Sequence, residues 1–87
     1  MNDESPLRFP CDFPIKVVGV GGPGFQALVM ELVRRRAPDL DETRVRTRDS
    51  RAGRYQSVTV MVNARARAQL DAIYQDLSGH PRIKLVL

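Results

Sequence analysis

Eighty-seven residues suffice for one small domain and not for a second core, because a chain this short buries only about 60 to 65 per cent of its unfolded surface. A hydrophobic share of 43% beside 28% charged residues excludes a disordered tail, and no apolar run resembles a membrane span or a signal peptide, so the expected location is the cytoplasm. One cysteine (Cys11) and one histidine (His80) exclude an internal disulfide and a His/Cys zinc set, and no metal or cofactor is expected.

Residues 1–12 carry Pro6 and Pro10 among polar neighbours without a period and are expected to form an extended N-terminal arm. The domain, 13–87, is expected to open with a strand from Phe13 to Val20, a short β-branched run closed by glycines. Phe25, Leu28, Val29, Leu32 and Val33 then recur at helical spacing. Pro23 helps to start that helix, and Arg34, Arg35 and Arg36 complement its negative end before Ala37-Pro38 stops it.

From Arg44 to Asp49 arginine alternates with smaller residues, as on an edge strand, and Ser50 to Gly53 supplies a turn. Val58, Val60 and Val62 alternate with Tyr55, Ser57, Thr59 and Met61, which marks a strand with one buried face. Asn63 is placed to cap a second helix, with Ala66, Leu70, Ile73, Tyr74 and Leu77 on its apolar side and Ser78-Gly79 at its end. Ile83 to Leu87 forms the last strand.

The order βαββαβ predicts an α+β fold, a ferredoxin-like sandwich whose four-stranded antiparallel sheet carries both helices on one face. Ile15, Val17, Val45, the three valines, Ile83, Leu85 and Leu87 should meet the helices. The other face should show Lys16, Val18, Arg44, Arg46, Arg48, Tyr55, Lys84 and Val86. That mixture of apolar and basic groups suits a covered surface, either a homodimer through this face or a ligand upon it.

The formal charge is +4, and twelve of the fourteen basic residues are arginine, with Lys16 and Lys84 the exceptions. Lys16, Arg44, Arg46, Arg48 and Lys84 therefore make weak nucleic-acid binding the alternative function, through phosphate attraction. An aromatic stacking platform is missing, since Tyr55 stands nearly alone on the central strands. Gly19-Val20-Gly21-Gly22-Pro23-Gly24 satisfies G-x-G-x-x-G, yet the next strand turns directly into a hairpin, which a dinucleotide site does not allow. What survives is a small anion or amino-acid carboxylate held by backbone N–H groups of Gly21, Gly22 and Gly24. His80 lacks a neighbouring nucleophile, Asp71 and Asp76 do not share a helix face, and no catalytic residue is assigned.

Phe9-Pro10 with Phe13, Lys16-Val17, Gly19, Ala37-Pro38, the segment Ser50, Gly53, Tyr55, Ser57-Val58 and Asn63, and the terminal Val86-Leu87 together resemble the YbeD-like family of small bacterial proteins of unknown function. The resemblance covers nearly the whole chain after the arm. It implies an ACT-like domain without an attached enzyme, hence a non-catalytic regulatory or interaction module acting through self-association, a protein partner or a small effector. Pro23-Gly24-Phe25 is similar to the Pro-Gly-aliphatic turn of ACT domains, which adds Phe25 to the glycines as an implied effector contact.

Overall fold

A computed structural model describes residues 7–87 of the chain; the expectation of an arm falls in part on residues 1–6, which lie outside them. The elements are β1 (Cys11–Val20), α1 (Phe25–Arg34), a 3₁₀ turn (Glu42–Arg44), β2 (Arg46–Asp49), β3 (Tyr55–Ala64), α2 (Arg67–Ser78) and β4 (Ile83–Val86). They form one antiparallel sheet in the order β2-β3-β1-β4, with both helices packed on one face: the α+β ferredoxin-like sandwich that the sequence predicts.

β1 starts at Cys11 and not at Phe13. β3 runs unbroken for ten residues, so Cys11 and Asp12 find partners in Ala64 and Asn63 and belong to the sheet instead of the arm. Pro14 is tolerated in this central strand for a geometric reason. Lys16 exchanges hydrogen bonds with Leu87, its N–H donating to Leu87 O (3.0 Å) and its carbonyl accepting from Leu87 N (2.8 Å). Residues 14 and 16 point their backbone groups the same way, so the donor that Pro14 lacks would face the flank where β4 has already ended.

The core is built as the alternation requires. Ile15, Val17, Val58, Val60 and Val62 are fully buried beneath Phe25, Val29 and Val33 of α1 and Ile73 and Leu77 of α2. Each such side chain contributes about 1.5 to 3 kcal/mol by leaving water. The helices are also tied to each other, because Arg36, just past α1, forks onto Asp76 of α2 at 2.8 and 3.3 Å.

Three local expectations are corrected. Asn63 does not cap α2; it is still in β3, and the cap position falls on Ala66, while Gln69 Oε1 accepts from Arg65 N at 2.7 Å. Arg44 is not on the edge strand but ends the 3₁₀ turn, whose start is capped by the Asp41 carboxylate accepting from Thr43 N (2.9 Å) and Thr43 Oγ1 (2.6 Å). In β4 Ile83 is buried as expected, but beyond it the faces are exchanged. Gly19 pairs with Ile83 but Val18 with Leu85, so the register shifts and Lys84 is left as an extra residue. Val86 therefore pairs with Val17 and packs against the core, whereas Leu85 and Leu87 are 50% and 59% exposed and face away from the helices.

Candidate functional site

The open face of the sheet is ordered across its width. Partners in an antiparallel ladder share a face. One row therefore reads Leu85, Val18, Ser57, Arg48 from β4 to β2, and the next reads Leu87, Lys16, Thr59, Arg46. Each row begins with an exposed leucine at one edge and ends with an exposed arginine at the other, so the face is apolar on its β4 side and basic on its β2 side. Val20 pairs with Tyr55 at the upper end, and both are exposed, at 41% and 42%. Among the described residues, the exposed large hydrophobics are Val20, Tyr55, Leu85 and Leu87, and all of them lie on this face. A shallow concavity of about 270 Å³ lies among Lys16, Val18, Arg48, Tyr55 and Ser57.

Of the six open-face residues expected from sequence, Lys16, Arg46, Arg48 and Tyr55 are therefore brought together. The other two engage local partners, Arg44 an open-face carboxylate and Lys84 a backbone carbonyl. Arg44 Nη2 reaches over β3 to Asp12 Oδ2 at 3.1 Å, and Lys84 Nζ donates to Pro81 O at 3.2 Å beside the register shift. Val20, Leu85 and Leu87 were not among the expected residues. Val20 continues the alternation of Lys16 and Val18 along β1, so its place on this face is legible in the sequence; the two leucines depend on the shift in β4.

The charges are distributed unevenly between the two sides of the molecule. Arg34, Arg35, Arg36, Arg44 and Arg65 have carboxylate partners in Glu42, Glu31, Asp76, Asp12 and Asp39. Lys16, Arg46 and Arg48 have none among the described residues. Among the described residues these three cations of the open face thus stand without an ion-pair partner; of the carboxylates beside them, Asp12 is matched by Arg44, and Asp49, at the rim of the concavity, accepts from Gln56 Nε2 at 2.8 Å.

The Gly-rich loop is built into the fold. Gly21 N donates to Arg54 O (2.9 Å), and Phe25 is fully buried. The Arg82 guanidinium lies over the Phe25 ring, 5.3 Å from its centre, and donates to Val20 O at 3.1 Å. Two of the four expected effector contacts, Gly21 and Phe25, thus have structural partners, while Gly22 and Gly24 remain exposed. His80 Nδ1 accepts the N–H of Arg82 at 3.1 Å, which binds the ring into the turn before β4. No group of three or more His, Cys, Asp or Glu among the described residues could hold a metal, and no helix among them is long and apolar enough to cross a membrane. A larger groove, about 770 Å³, runs along the solvent side of α1 beside Ala27, Met30 and Glu42.

Comparison with known proteins agrees with this architecture. The family model described as "Protein of unknown function (DUF493)" matches residues 4–87. A UPF0250 protein of Nitrosomonas europaea is 44% identical over 87 residues, covering both chains entirely. One from Paraburkholderia phytofirmans is 47% identical over 85 residues, covering 98% of this chain and 96% of the relative. Among solved structures, the solution structure of protein HP0495 from H. pylori superposes with a TM-score of 0.73 over 97% of this chain and 88% of the other. At 14% identity that likeness bears on the fold alone.

Proposed function

Because the chain belongs to the DUF493 family, the YbeD-like small bacterial proteins of unknown function, we propose that it is a non-catalytic, ACT-like interaction module that works by docking its open sheet face against another protein surface. The observation that carries this reading is the placement of Val20, Tyr55, Leu85 and Leu87, all exposed and all on that face. Exposed apolar side chains gathered on one face, beside unmatched cations, are what an interaction surface presents. A second copy of the chain is one candidate surface. An effector site on the Gly-rich loop draws less support, since Gly21 and Phe25 already have partners within the fold.

Site-specific photo-crosslinking in living cells tests the reading. A photoreactive residue at Leu85, on the open face, should give discrete cross-linked species, while the same residue at Asp71, exposed on α2, should not. Equal cross-linking from both positions, or none from Leu85, would overturn the proposal. So would a metabolite turnover that disappears in His80→Ala.

A further inference from the structure

We infer that the surface covering this face is an amphipathic helix of a partner protein, bearing a leucine-rich stripe with carboxylates along one flank. The inference rests on the docking reading above and names its occupant. The argument is charge complementarity joined to spacing. Among the described residues two cations without counter-charge, Arg46 and Arg48, stand on the β2 edge, Lys16 stands on β1, and the exposed leucines Leu85 and Leu87 stand on the β4 edge. A second copy, face to face, would bring three more such cations against one carboxylate without an ion pair among the described residues at this face, Asp49 at the rim of the concavity, so self-association leaves most of the charge unmet.

The dimensions suit a helix. Neighbouring strands lie about 4.8 Å apart, so the width from Leu85 to Arg48 is roughly 14 Å, a little more than the 10 to 12 Å diameter of a helix with its side chains. Arg46 and Arg48 are two residues apart on one strand, about 6.7 Å, while positions i and i+4 of a helix are about 6 Å apart along its axis. A helix lying along the strands can rest its apolar stripe on Val18, Leu85 and Leu87 and offer two carboxylates to the two arginines. Nucleic acid fits the face less well, because its phosphates would meet the arginines but leave the aliphatic side uncovered, with Tyr55 the one aromatic platform.

The test uses a synthetic helical peptide with leucines on one stripe flanked by glutamates at i and i+4. Its controls are a scrambled peptide of the same composition and a single-stranded oligonucleotide. Amide shifts of the full-length protein locate binding, and fluorescence anisotropy gives affinity. The acidic helix should move the amides of Val18, Ser57 and Leu85. Leu85→Asp and the double variant Arg46→Glu/Arg48→Glu should each weaken it at least tenfold, and the charge-reversed variant should regain binding to the same peptide with lysine in place of glutamate. All three substituted side chains are exposed, and an unchanged circular dichroism spectrum confirms the fold.

Equal binding of the scrambled peptide, shifts confined to another surface, or an oligonucleotide that moves the same amides at physiological salt when the peptide does not would each overturn the inference. The two proposals fail separately. If the peptide does not bind but sedimentation shows a dimer that Leu85→Asp dissociates, the helix inference falls and the docking reading stands. If neither peptide nor second copy engages the face and Leu85 gives no cross-link, both fall.

Discussion

Gly19 lies directly beneath the ring of Phe25: a β-carbon built at Gly19 would fall 2.5 Å from both Cε1 and Cζ of that ring, and on its other side it would strike the carbonyl oxygen of Arg82. The ring is fully buried and the carbonyl accepts the N–H of Val20, so neither can yield cheaply. Gly19→Ala should therefore destabilise the protein by about 1 to 3 kcal/mol, the usual cost of overpacking a filled core. Urea denaturation measures it; an unchanged midpoint would mean that Phe25 is free to move.

Gly24 raises a different cost. It caps α1 at φ 83°, in the left-handed region, and a β-carbon there would meet nothing within 4 Å. Gly24→Ala should cost roughly 1 to 2 kcal/mol from backbone conformation alone, and Gly24→Asn less, since asparagine tolerates this region. Equal losses for the two variants would point to a packing cause instead.

The register shift in β4 makes a prediction that inverts simple alternation. Val86→Ala should cost about 1 kcal/mol because Val86 packs on the core, while Leu85→Ala should stay within about 0.5 kcal/mol. Thermal unfolding of the two variants decides the matter, and the opposite order would place Leu85 in the interior.

Acid should weaken the protein through Asp76. The hydrogen bond from Arg36 holds this carboxyl below its ordinary range, aided by the charges of Arg36 and Arg35 and opposed by desolvation. A carboxylate depressed in the folded state stabilises above its unfolded value of about 4, and that stabilisation fades as the pH falls through the folded value. Asp41, lowered chiefly by its bond from the Thr43 hydroxyl, acts in the same direction. Asp76→Asn should thus lose less stability than the native chain when acidified below about pH 4, as read from urea midpoints across that range.

The parts of the fold visible in the sequence were those governed by local period. Val58, Val60 and Val62 alternate within a single strand and are all buried, and the same rule places Lys16, Arg46 and Arg48 on the open face. What escaped depends on residues far apart in the chain. Arg44 is drawn to Asp12, 32 positions earlier, and Leu85 and Val86 exchange faces because β4 slips by one residue against β1. Asn63 has good capping chemistry, but Asp12 opposite it keeps β3 going. A four-residue strand is too short for its pattern to reveal such a slip.

The slip at Lys84 also bears on how the protein behaves when crowded. A strand arriving at the outer side of β4 would find donors and acceptors out of step and an ammonium beside them; one arriving at β2 would meet Arg46 and Arg48. Neither rim offers a regular template for adding a further strand, so Leu85 and Leu87 can stand exposed on the open face without an edge that seeds fibrous aggregates.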